Sequence, residues 1–199
     1  MSKFAESLVE LENTLRSARA AVAGHFRPGL EELATRSRLD QVGLVPSDEV
    51  VEWFGWHNGA GDPNANLRNC ELAPGVYIFD LETLCQEYLD TRRDFDGVTQ
   101  DLPGQWSDAS DLWSPSWFPL ARLDAGYVAV DLAGESMSTS PVHAGWFDAD
   151  PEYKVHPQWP TLDVFVQELT RRYEQGTYEV DPDGHVRGPD VDADLRERP

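Results

Sequence analysis

Three runs rich in strand-forming residues cluster in one part of the chain: Trp117 to Ala121, Tyr127 to Leu132 and Val142 to Phe147. Aromatic and β-branched side chains favour the pleated, half-buried surface of a sheet. Asp124-Ala125-Gly126 supplies a turn between the first two, and Ala133-Gly134-Glu135 follows the second. Strands grouped this way do not alternate with helices, which excludes a doubly wound fold. The expected class is α+β, with a mixed, largely antiparallel sheet flanked by helices.

The helices are read from periodicity. Phe4, Leu8, Leu11, Leu15, Ala18 and Val22 recur at alternating steps of four and three, one helical face, with Ser2 to cap it and Gly24 to end it. The stripe is too short for a coiled coil and predicts packing on the domain. A second helix is expected to open at Pro28, with Glu31 and Glu32 in its first turn and Leu30, Leu33 and Ala34 inward. Ser47 caps a short third helix, whose buried side is Val50, Val51 and Phe54, continued by His57 and stopped by Gly59 and Gly61. Val76 to Phe79 reads as a strand. Asp80 caps a fourth helix with Leu81, Leu84, Cys85, Tyr88 and Leu89 inward, and Thr161 caps a last one built on Leu162, Phe165, Val166 and Leu169. Thr177 to Val180 and His185 to Arg187 suit a hairpin around Asp183-Gly184. The expected organisation is an N-terminal helix over 1–27, one domain over 28–187 and a disordered acidic tail over 188–199.

With 36 acidic against 16 basic residues, the formal net charge is -20. Such a field repels nucleic acid and anionic membranes and speeds encounter with basic partners; plain solubility is the other reading. The two cysteines, Cys70 and Cys85, form no metal-binding spacing and suit a reducing compartment, with a single bridge between them left open. The N-terminal stretch has no apolar signal core, and no run is long enough to span a bilayer. A soluble, cytoplasmic protein is expected, its oligomeric state open.

Catalytic chemistry finds little support. His57, Asn58 and Asp62 sit close in sequence, as do His143, Asp148, Asp150 and His156, but neither group has a metal-ligand spacing, and ordinary capping and packing account for them. Ser136, Ser138 and Ser140 lack a nucleophile elbow, and no phosphate-binding glycine motif occurs. A non-enzymatic binding protein without metal or cofactor is expected.

From Asp94 to Ser114 periodicity is lost, and a loop of this length inside a domain is often functional. It follows Asp90 and carries Asp94, Asp96, Asp101, Asp108 and Asp111 together with Trp106 and Trp113. Tryptophans beside carboxylates suit an interface with a basic protein, the indoles as anchors and the acids meeting Lys or Arg. Equally, Trp106 and Trp113 can pin the loop to the body, and the acids can be a solvated surface. These seven residues from Asp94 to Trp113 form the candidate partner-binding set.

Three segments, in order, resemble the SUKH superfamily, which includes a yeast cell-wall assembly regulator and many bacterial toxin-immunity proteins. They are Pro46 to Glu49 leading into Phe54-Gly55-Trp56-His57-Asn58-Gly59, then Trp113 to Leu120 running into Tyr127 to Leu132, and finally Thr161 to Gly176. The resemblance spans roughly 28–180; the turn at Asp124-Ala125-Gly126 and the long acidic stretch between Asp90 and Trp113 depart from it. It implies an α+β fold and a protein that binds and neutralises a cognate toxin, often a nuclease, by occluding its active surface. A regulatory or scaffold module with a non-toxin partner is the alternative it allows. The family supplies no consistent catalytic residue.

Overall fold

The structure is a computed structural model and describes residues 2–101, 113–124, 126–133, 138–146 and 157–191, with backbone alone at 96–101 and 145–146. The order of elements is α1 (Lys3–Ala18), β1 (Phe26–Pro28), α2 (Glu32–Gln41), α3 (Asp48–Trp56), β2 (His57–Ala60), β3 (Glu71–Ala73), β4 (Val76–Tyr77), α4 (Leu81–Asp101), β5 (Trp117–Leu123), β6 (Gly126–Asp131), β7 (Val142–Trp146), α5 (Leu162–Glu174), β8 (Glu179–Val180) and β9 (Val186–Arg187). Strands β3 to β7 form one five-stranded sheet in sequence order, β1 pairs with β2, and β8 with β9. Every pairing among the described residues is antiparallel. The chain is therefore α+β.

The central hairpin runs from Trp117 opposite Asp131 to Leu123 opposite Gly126, with a register shift between Pro119 and Ala121. Alternation along it divides the side chains between two separate apolar clusters. Phe118, Leu120, Val128, Val130, Val142 and Ala144 join the main core with α1, α3 and α5. Trp117, Tyr127 and Ala129 belong to a second cluster with Trp113 and Phe95. The sheet thus has an inner face against the helices and an outer face of its own.

Helix α1 uses the expected stripe: Phe4, Leu8, Leu11 and Leu15 are buried, and Ser2 Oγ accepts from Ala5 N. It ends at Ala18, ahead of Gly24, because Arg19 adopts a left-handed conformation (φ 63°) and turns the chain. Val22 reaches the core from a following 3-10 turn. Against α5, Lys3 Nζ pairs with Asp163 at 2.8 Å and Ser7 Oγ donates to the same carboxylate at 2.7 Å.

Several local expectations are corrected. Pro28 closes strand β1, where it lies opposite His57 of β2, and α2 starts at Glu32; its buried residues are Thr35 and Leu39, while Leu33 is exposed. His57 opens β2 instead of prolonging α3, and Gly59 takes a positive φ (72°) where its Cα passes against the Phe79 backbone, a space a Cβ would fill. Leu89 is exposed. The hairpin at β8 and β9 is present, and the chain beyond it stays attached longer than expected: Val191 is buried, and Arg172 Nη1 donates to the Asp190 carbonyl. Both cysteines are buried and unbridged.

Glu49 ties the fold together. It is 4% exposed; Oε2 accepts from Ser140 N (2.8 Å) and Leu162 N (3.1 Å), and Oε1 accepts from Asp163 N (3.2 Å). A carboxylate on α3 thereby satisfies the first N–H groups of α5, which have no partner within that helix. Burial pushes its pKa up, opposed by the same N–H groups.

Candidate functional site

Helix α4 runs to Asp101, through the first part of the stretch expected to be a loop. Leu84, Tyr88, Thr91 and Phe95 follow one another at steps of four, three and four, so a single inward stripe persists past Asp94. Leu84 and Tyr88 enter the main core, and Phe95 packs on the outer aromatic cluster. The helix also gives its acids an order. Glu87, Asp90, Asp94 and position 101 recur at steps of three, four and seven, one row on the helix; position 96 falls off that row.

Between this row and the sheet lies a cavity of about 320 Å³ lined by Glu87, Asp90, Thr91, Asp94, Phe95 and Tyr127. Glu87 is its most enclosed acid. Oε2 is shut off from solvent and has no hydrogen-bond partner, and Oε1 lies 3.9 Å from Arg122 Nη1. Burial pushes the Glu87 pKa up, while Arg122 and the Tyr127 hydroxyl draw it back. Asp90 accepts from Gln86 and Arg93 at the surface, and Asp94 is exposed. Burial likewise raises the Tyr127 phenol, whose hydroxyl interacts with Thr91 and Glu87.

Trp113 is not an exposed anchor. It is 6% exposed, its Nε1 donates to the Trp117 carbonyl at 3.0 Å, and its ring meets Trp117 and Tyr127 edge-on at 5.6 Å. Of the two roles open to it, this geometry is that of a pin. His143, also on the outer face, stacks on Trp117 with ring centroids 4.2 Å apart. Its Nδ1 is buried without a partner, and burial lowers its pKa against the pull of Asp131.

Of the candidate set, Asp94 and Trp113 are thus brought to one region, and Asp96 and Asp101 are placed by backbone on α4. Trp106, Asp108 and Asp111 lie outside the described residues, as do Ser136, Asp148, Asp150, His156 and 192–199. Glu87, Phe95 and Tyr127 are members of the site that residue-type reasoning passed over. Their signal was the continuing helical stripe and the spacing of Glu87 to Asp90 and Asp94.

Elsewhere the possible chemistry resolves into structure. His57 stacks on Phe26 at 4.1 Å, with its ring nitrogens facing the Arg27 carbonyl (3.1 Å) and Glu12 (3.2 Å). Asn58 Oδ1 accepts from Leu81 N at the start of α4, and Asp62 Oδ1 accepts from Asn64 N. Among the described residues no cluster of His, Cys, Asp and Glu is placed to hold a metal ion, and no helix is long and apolar enough to cross a membrane. A larger, open groove of about 830 Å³ between α1 and α5 is lined by exposed acids such as Glu6, Glu10 and Glu174. The sequence matches no family model and no curated protein.

Proposed function

We propose that this chain is an immunity-type protein: it binds a basic bacterial toxin domain stoichiometrically and covers the toxin's active surface with the acidic face of α4. The observation that carries the reading is the row of acids on α4: Glu87, Asp90 and Asp94 follow one another at steps of three and four and share one side of the helix. Like charges spaced this way repel one another, at a cost of about 0.2–0.5 kcal/mol for a pair four residues apart in the free protein. A cationic partner removes that cost on binding, and the net charge of -20 adds long-range steering. The toxin class of the partner is supported by the ordered resemblance to the SUKH superfamily.

The test is co-expression with a basic toxin domain, beginning with any that is encoded beside this gene. Rescue of growth, a 1:1 complex and affinity that weakens steeply with salt are the expected results. No rescue and no co-purification would overturn the proposal. Capture of a housekeeping protein through the same face, with no effect on toxicity, would replace it by the regulatory-module reading.

A further inference from the structure

We draw no further inference here: the strongest candidate, the open groove between α1 and α5 lined by exposed Val9, the Tyr173 ring and the exposed acids Glu6, Glu10 and Glu174, is an acidic cluster beside a small apolar strip, and nothing in the structure shows what covers it.

Discussion

Replacing Asp94 with lysine should make the free protein more stable and its complex weaker. Asp94 is exposed on α4, four residues after Asp90. A like-charge pair at this spacing costs about 0.2–0.5 kcal/mol and an acid followed by lysine gains about as much, so the exchange is worth roughly 0.4–1 kcal/mol. For a chain of this size each kcal/mol moves Tm by about 2–4 °C, which sets the expected rise at about 1–4 °C. Thermal melts followed by circular dichroism at low salt read the change directly. Repeating them near 0.5 M salt should erase most of the gain, because the Debye length then falls to roughly 4–5 Å. Partner affinity, measured on the same protein, should fall and lose part of its salt dependence. A melting temperature that is unchanged or lower at low salt would refute the idea that the acids of α4 repel one another, and with it the main physical argument for a cationic partner.

Glu49→Ala should destabilise the fold by about 3–5 kcal/mol in urea unfolding, since it strands three N–H groups and opens a cavity; a loss under about 0.5 kcal/mol would show that Glu49 ties nothing together. Trp113→Ala should cost about 3–5 kcal/mol, through lost packing in the outer cluster; a variant of wild-type stability with weakened binding would restore Trp113 as a surface anchor. His143 makes the fold acid-sensitive. Its ring titrates lower in the folded chain than its ordinary 6.5, so below that pH the unfolded chain binds more protons and stability falls as pH falls. His143→Gln should flatten the pH dependence of Tm between about pH 5 and 7, and an unaltered slope would exclude the ring as its source. Burial pushes both thiols up to about 11; alkylation of Cys70 and Cys85 at pH 8 should therefore wait for denaturant, and prompt labelling of the native protein would contradict their placement.

Much of this architecture was legible because local and global signals agree. The stripe from Phe4 to Leu15, the caps at Ser2, Ser47 and Thr161, and the strands from Trp117 to Val142 each follow from periodicity and capping. The misplaced boundaries have tertiary causes. Pro28 favours a helix start locally, but pairing with His57 draws it into β1. The continuation of α4 past Asp94 was hidden because Asp94, Asp96 and Gly97 are poor helix formers, and because Phe95 is held by the outer cluster and not by the main core. The site divides similarly. Asp94 was visible as a charge, whereas Glu87 looked like any helical glutamate; only the approach of Tyr127 and Arg122 from the sheet encloses it.

The ties between the two ends of the chain also bear on how the protein comes to exist. Asp163 on α5 is bonded to Lys3 and Ser7 on α1, Glu49 closes onto Leu162 and Asp163, and buried Glu71 meets His185 and Val186. Each contact joins an early segment to one that leaves the ribosome more than a hundred residues later. Non-local closure of this kind slows folding and leaves apolar surface open meanwhile. Helix α1 therefore waits, its leucine stripe unsatisfied, until α5 is synthesised, and a chain cut short before Leu162 leaves Glu49 without two of its three donors. Synthesis rate and chaperone capture, more than equilibrium stability, then decide how soon after translation begins a competent molecule is available.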